Sequence, residues 1–436
     1  MRGKPARPWK RAAAWLAVLA PFFYLSYGFA TWFTAQRASV PSIVFAWESQ
    51  VPFWPWTIFP YWTINAFYGL SIFLASTRHE LDRHAQRLLS AQVMAVLCFL
   101  AMPLAFSFGQ PPVDGAPGAL FAALRSFDKP FNQAPSLHIA LALILWDFYQ
   151  RRIHSAWARA VLHAWAFLIC ASVLSTWQHH FIDIPTGALL GLLCCWAWPL
   201  ERRASPLFGW HFSADPVRRR LALCYALGAL ACAALGTGVG GGALWLWWPA
   251  ASLALVSLNY LALGARGFQM DACGRMAWPA RWLFGPYRFG AWLNARLWTR
   301  RLASDVEVIP GVRLGRLPDK GSTEAGVVSL CAELQGPDTR GNRCLPWLDL
   351  VPASAASLQR AAALIERLHR ERGRVRVCCA LGFSRSAAAL ACWLVRSGRA
   401  ADVDEAVALL RRTRPQLVLH AGWMASLRQA GKAISR

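Results

Sequence analysis

Over the first two-thirds of the chain, apolar residues come in long, nearly unbroken runs; over the last third they come in short runs with strand or helix spacing. A helix needs about 20 apolar residues to cross the hydrocarbon core of a bilayer. Eight runs approach that length: Ala12–Thr34, Trp56–Ala75, Leu88–Phe108, Ser136–Tyr149, Ala156–Trp177, Ile184–Leu200, Leu221–Gly238 and Ala243–Leu263. The fourth is the shortest, and Pro and Gly blur several edges. The first is too long for a cleaved leader and lacks a small-residue cleavage site, so it is expected to remain as a span. The pattern predicts an all-α polytopic membrane bundle of about eight transmembrane helices across residues 1–264, followed by a soluble α/β domain across 305–436.

In that domain VRLGRLP (312–318) reads as a short strand and turn, and GVVSL (326–330) and RVRVCC (374–379) as buried strands. Helical apolar spacing runs through 357–371, 384–398 and 403–414. Between bundle and domain, residues 265–304 mix Arg with Trp, Phe and Tyr. That composition suits a helix lying on an anionic leaflet, with a solvated basic linker as the alternative.

Composition sharpens the picture. Of the 436 residues, 56% are hydrophobic and only 16% charged, whereas a soluble domain carries roughly 25% charge. The formal net charge of +24 fits nucleic acid, an anionic membrane or an anionic substrate. Its distribution selects the membrane. Basic residues crowd the N-terminus, the loop with Arg78, Arg83 and Arg87, the loop with Arg151, Arg152 and Arg159, and the loop from Arg202 to Arg220. The alternate loops hold few: Arg37 in one, Arg125 and Lys129 in another. Lys and Arg stay on the cytoplasmic side. The expected location is therefore a multi-pass inner membrane, with both termini cytoplasmic, membrane lipids as partners and no nucleic acid. The 12 Cys lack paired CxxC spacing, so neither a metal site nor a disulfide framework is expected.

Two constellations carry chemistry. In the first, Cys379-Ala380-Leu381-Gly382-Phe383-Ser384-Arg385-Ser386 follows a strand and opens a helix. Five residues between Cys379 and Arg385 make a loop short enough to wrap its N–H groups around one phosphate dianion, and the helix N-terminus adds positive potential. The same fields favour a thiolate at Cys379, and Arg385 is able to grip two phosphoryl oxygens. Over about 306–436 the chain resembles the dual-specificity branch of the cysteine-based protein tyrosine phosphatases. The resemblance implies a phosphocysteine on Cys379, with thiolate release assisted by Ser386. It also implies a general acid about thirty residues upstream, where Asp349 fits and Asp338 competes. The His that commonly precedes the nucleophile is Cys378 here, a neighbour that would trap an oxidised Cys379 as a disulfide. The loop interior has no Lys or Arg, which suits a single phosphomonoester, on a phosphoprotein or on a lipid.

The second constellation is split between Pro135-Ser136-Leu137-His138 and His179-His180-Phe181-Ile182-Asp183, both at the expected outer ends of spans. Over about 50–200 this resembles the type 2 phosphatidic acid phosphatase superfamily, with its PSxH and HxxxD motifs. The resemblance makes His179 a nucleophile that forms a phosphohistidine, Asp183 its orienting carboxylate, His138 the acid for the leaving group and Ser136 a phosphate donor. His180 is the rival for His179. The family's Lys-x6-Arg-Pro block has only Arg125 and Lys129-Pro130 as substitutes, and Thr176 stands where an Arg usually follows Ser175. Such a pattern resembles the inositol phosphorylceramide synthase branch, which transfers a phospho-headgroup to a lipid alcohol.

These readings imply a bifunctional membrane phosphatase: a His-based lipid-phosphate site outside and a Cys-based phosphomonoesterase inside, neither requiring a metal or other cofactor. The alternatives are a headgroup transferase coupled to a lipid-phosphate phosphatase, and a non-catalytic scaffold that binds phosphate. Asp147, one helical turn before Arg151, is expected to be structural.

Overall fold

The structure, a computed structural model, describes residues 7–201, 205–319, 326–337 and 341–432. Asp338, Arg202, Arg203 and the first basic residues of the N-terminus lie outside these. The chain divides into two compact units, Met1–Ser205 and Pro206–Arg436.

The first unit is helical: α1 (Trp9–Ala35), α2 (Ile58–Leu74), α3 (Arg78–Ala101), α4 (Gly115–Phe127), α5 (Leu137–Gln150), α6 (Ala156–Ser175) and α7 (Asp183–Ala197). Helices α5 and α7 approach closely because α7 carries Gly187 and Gly191, one turn apart. A Cβ on Gly187 would lie 2.4 Å from the Ser136 carbonyl oxygen, and one on Gly191 2.9 Å from that of Ala140. Small residues at this spacing let apolar helices meet along their backbones. The Ser136 N–H donates to the Asp183 carbonyl at 3.1 Å, and the Ser136 hydroxyl caps α5 by accepting from the Ile139 N–H. The two split motifs are joined by this packing. At the far end of α5, buried Asp147 accepts from Arg87 of α3 at 2.7 Å and from Arg151 at 3.0 Å, a lock between helices as the sequence suggested for Arg151.

The second unit begins with an apolar hairpin of α8 (Pro216–Val239) and α9 (Trp247–Leu258), the latter continued by a π turn over Asn259–Leu263. Two short helices follow, α10 (Trp278–Leu283) and α11 (Gly285–Thr299). Then come β1 (Asp305–Ile309), β2 (Val312–Arg316), β3 (Val327–Cys331), β4 (Asn342–Trp347), α12 (Ala355–Arg372), β5 (Val375–Cys379), α13 (Arg385–Arg396), α14 (Val403–Thr413) and α15 (Ala421–Lys432). The sheet order is β1-β2-β5-β3-β4, with β1 antiparallel and the other pairs parallel. β5 is central and every one of its residues is buried. α13 is buried from Arg385 to Leu394, as a helix must be when it is covered on all sides.

Three expectations change. Among the described residues five helices are long and apolar enough to cross a membrane, Gly241–Phe268 counting as one. The expected fourth and sixth spans are helices of 14 and 15 residues. α5 stops where Asp147, Arg151 and Arg152 interrupt the apolar run, and α7 starts at Asp183 and stops before Pro199. Second, the boundary expected at 264/265 lies inside the second compact unit, which begins at Pro206. Third, the 265–304 segment is more than a linker. Ala295 of α11 lies in the α/β core, and the Cys344 N–H of β4 donates to Ala272 O at 2.8 Å.

Candidate active sites

In the second unit the loop 380–384 joins β5 to α13, with Cys379 as the last strand residue and Arg385 as the first helical one. Its turn depends on Gly382, whose φ is +78° and whose place a Cβ would fill 2.5 Å from the Gly315 backbone. Only glycine combines that conformation with that approach. The Gly382 N–H consequently points inward and donates to Cys379 Sγ at 3.2 Å, and the Ser386 hydroxyl lies 3.2 Å from the same sulfur. Cys379 and Ser386 are almost fully buried. Cys378 faces the opposite side of the strand, its thiol 3.6 Å from Val328 O. Alternation along a strand separates the two sulfurs, so the disulfide trap expected of this pair has no support in the geometry.

Arg385 is buried, and its guanidinium holds Glu333 through two bonds, Nη1 to Oε2 at 2.9 Å and Nη2 to Oε1 at 2.6 Å. Nη1 also donates to Trp347 O at 3.0 Å, and Nη2 lies 3.0 Å from Asp349 Oδ1. Burial by itself lowers a guanidinium pKa; here Asp349 and Glu333 outweigh it and carry Arg385 well above its ordinary value. Asp349, the expected acid, therefore lies beside Arg385. It sits on a tight turn in which Leu350 adopts φ +58°, a left-handed conformation that costs energy for a branched side chain.

Sequence reading missed three supports of this site. Glu333 follows β3 without any motif around it. Arg414, buried, donates to Leu381 O and Ala303 O, and its guanidinium lies 5.3 Å from the Phe383 ring centroid. Tyr260, on the π turn, donates its hydroxyl to Asp349 O at 3.0 Å. A π turn inside an apolar run is a recurring mark of a functional position, but only the backbone reveals it.

In the first unit His179 and His138 line one cavity of about 290 Å³ together with Tyr27, Tyr61 and Asp128. His179 Nδ1 lies 3.0 Å from Asp183 Oδ2, and its Nε2 lies 3.2 Å from Ser136 Oγ. His138 stacks on Tyr61 with centroids 4.0 Å apart, and its buried Nε2 has no hydrogen-bond partner in the structure. His180 is occupied elsewhere: Nδ1 meets Glu48 at 2.8 Å and Nε2 meets Ser107 Oγ at 3.0 Å. The two adjacent histidines therefore differ in that only the His179 ring borders the cavity shared with His138. A second cavity, with Arg125 and Lys129 in its wall, also reaches His179. Among the described residues no group of three His, Cys, Asp or Glu side chains is arranged to hold a metal ion.

Comparison with solved structures finds several phosphatases, each covering about a third of the chain. Human DUSP28 is 25% identical, with 31% of this chain and 97% of that one covered and a TM-score of 0.28. Tk-PTP in its active form is 25% identical over 30% of this chain and 97% of its own, with a TM-score of 0.27. PTPMT1, in a complex with PI(5)P, is 19% identical over 30% and 97%, with a TM-score of 0.28. No curated protein matches the chain. Residues 343–433, which include the Asp349 turn, the Cys379 loop and the helices behind it, match the family described as dual specificity phosphatase, catalytic domain; the C-terminal domain is a phosphatase domain of that kind.

Proposed function

We propose that the protein is a membrane-embedded phosphomonoesterase whose cytoplasmic reaction runs through Cys379. The observation that carries this reading is the convergence of Gly382 N–H and Ser386 Oγ on the Cys379 sulfur, at the mouth of a helix that begins with Arg385. The Cys379 thiolate attacks phosphorus, the P–O ester bond breaks, and protonated Asp349 gives its proton to the departing oxygen. Water then attacks the phosphocysteine, Asp349 takes the proton, the S–P bond breaks and inorganic phosphate leaves. Ser386, within hydrogen-bond distance of the sulfur, stabilises the thiolate as it reforms. The full chain in detergent should hydrolyse p-nitrophenyl phosphate, and Cys379→Ser should abolish it. Equal activity in both would leave the Cys379 loop a phosphate binder without turnover and assign the hydrolysis elsewhere in the chain.

A second centre is supported by the cavity shared between His138 and His179. His179 is oriented by Asp183 through Nδ1, which leaves Nε2, beside the Ser136 hydroxyl and on the cavity, as the nitrogen that attacks phosphorus. His138 is placed to protonate the leaving group. This reading gives a lipid-phosphate site on the periplasmic face, with membrane lipids as its partners. Discharge of the phosphohistidine to water makes it a phosphatase, and discharge to a lipid alcohol makes it a headgroup transferase. The cations Arg125 and Lys129 line a cavity that reaches His179, which supports reading them as substitutes for the superfamily's basic block. A labelled headgroup appearing in a second lipid without equivalent free phosphate identifies transfer. Reporter fusions after Gln110 and after Arg436 test the orientation, which requires the first outside and the second inside.

A further inference from the structure

The second unit contains a cavity of about 400 Å³ whose inner wall is the phosphatase site and whose outer wall is the apolar hairpin. Asp349, Glu333 and Ala380 line the inner end. Tyr225 of α8 and Leu253 of α9 line the other, and Gly290 lies on the α11 side. These helices belong to the same compact unit as the catalytic loop. α8 and the α9 segment are among the helices long and apolar enough to cross a membrane.

From this arrangement we infer that the Cys379 site takes its substrate from the bilayer, and that the substrate is a membrane lipid phosphomonoester. The inference rests on the phosphatase reading above and adds the source of the ester. Four features of the molecule support it. The entrance is walled by hairpin helices, so a phosphate reaching Cys379 by this route passes between surfaces that lie in or against lipid. Two tyrosines line that passage and a third packs on one of them: Tyr225 lies 5.6 Å from Tyr287 in the lining and 5.4 Å from Tyr260, centroid to centroid. Aromatic rings with one polar tip suit the boundary between acyl chain and headgroup. α11 turns Ala295 and Thr299 inward while Phe289, Trp292 and Trp298 are exposed, and Arg288 within it and Arg300 and Arg301 just after it add positive charge. Such a face beds a helix into an anionic leaflet and sets the entrance at headgroup depth. Finally, Tyr260 on the hairpin holds the Asp349 carbonyl, so the membrane segment itself positions the acid.

The test uses the full chain carrying His179→Ala, which silences the first unit, reconstituted in phosphatidylcholine vesicles. Phosphatidic acid, ceramide 1-phosphate and phosphatidylglycerophosphate are the lipid probes; glycerol 3-phosphate and a phosphotyrosine peptide are the soluble ones. At least one lipid should exceed both soluble esters in kcat/KM by about tenfold or more. Its rate should follow surface mole fraction when it is diluted with phosphatidylcholine at constant bulk concentration. Gly290 lines the cavity, and a Cβ there meets nothing within 4 Å, so Gly290→Phe places bulk in the passage without a backbone clash. It should lower the ratio of lipid to p-nitrophenyl phosphate turnover by about tenfold. Faster cleavage of the peptide than of any lipid, or a rate that follows bulk concentration alone, overturns the inference. If p-nitrophenyl phosphate hydrolysis survives Cys379→Ser, the phosphatase reading itself fails. If that hydrolysis depends on Cys379 while every vesicle lipid is untouched, the reading stands and the lipid inference falls.

Discussion

Arg385 and Glu333 form a bidentate pair sealed from solvent, with bonds of 2.6 and 2.9 Å. Glu333 fixes the plane of the guanidinium from behind, and Asp349 meets it at 3.0 Å from another side. Removing one partner of a buried pair leaves an uncompensated charge, at a cost of about 3–5 kcal/mol. Glu333→Ala should therefore destabilise the C-terminal domain by about that amount, read as a lower midpoint of thermal unfolding. Glu333→Gln keeps the shape and one acceptor. It should fold, yet bind phosphate with a misplaced Arg385 and lose about a hundredfold in kcat/KM.

Ser386 sits 3.2 Å from the sulfur that must leave as a thiolate in the second step. A hydrogen bond to a charged group is worth about 1.5–3 kcal/mol. Ser386→Ala should slow breakdown of the phosphocysteine by about ten- to a hundredfold while sparing its formation. Rapid mixing with p-nitrophenyl phosphate should then show a burst of nitrophenol, and acid quench should trap phosphate on the protein. A steady-state loss without a burst would place Ser386 in the first step.

Asp349→Asn removes a proton donor worth about 10²–10⁴ in rate. The loss should be large for an alkyl phosphate, whose oxygen leaves poorly as an anion, and small for p-nitrophenyl phosphate, whose leaving group needs no proton. Equal losses on both would show Asp349 acting only through its contact with Arg385.

The strands read from the sequence at 312–318, 326–330 and 374–379 and the helices at 357–371, 384–398 and 403–414 match β2, β3, β5, α12, α13 and α14. Their apolar periodicity is strong because these elements are buried on one face or all round. β1 and β4 escaped. DVEVI and NRCLPW alternate weakly, and as the two edge strands they are only partly buried. Helix α4 escaped as well, since Gly and Pro crowd its first turn. The Cys379 loop was legible because its chemistry is local in sequence. Glu333, Arg414 and Tyr260 reach the same loop from 46, 35 and 119 positions away (379 − 333, 414 − 379, 379 − 260), and nothing in their neighbours marks them. The pairing of Ser136 and His138 with His179 and Asp183 was readable as motifs, whereas the cause of their meeting, Gly187 and Gly191 on α7, shows only in the packed helices.

Asp305 ties β1 to the sheet through Arg313 and through Arg376, the latter at 3.3 Å. Burial raises its carboxyl pKa, but bonds from Ser304 and Arg313 and the charge of Arg376 outweigh that and hold it below the usual carboxylate range. A depressed folded-state pKa contributes stability that is present above the unfolded value and is lost as pH falls through the folded one. Wild type should therefore exceed Asp305→Asn in thermal midpoint at neutral pH. The difference should shrink as pH drops below about 4, the unfolded carboxyl value, and disappear under more acid conditions. A difference that persists in acid would assign the contribution of Asp305 to shape and not to charge.

The two adjacent histidines of the first unit give the sharpest test of the proposed His-based site. Both are buried and both touch a carboxylate, His179 with Asp183 and His180 with Glu48, so burial and pairing do not separate them. What separates them is the second ring nitrogen. That of His179 faces Ser136 and borders a cavity shared with His138, while that of His180 is held by Ser107 and its ring packs on Phe106 at 4.4 Å. A nucleophile needs a nitrogen on the cavity that admits the reactant, and of the two only the His179 ring borders that cavity. In a Cys379→Ser background, which removes the reaction at Cys379, His179→Ala should abolish release or transfer of phosphate from lipid. Asp183→Asn should keep the fold and lower the rate by about 10²–10⁴, as loss of an orienting carboxylate does in acid–base catalysis. His180→Ala should lower the thermal midpoint of the bundle while leaving radiolabel from a lipid phosphate trapped on His179 after acid-free quench. Label that vanishes in His180→Ala and persists in His179→Ala would exchange the two roles.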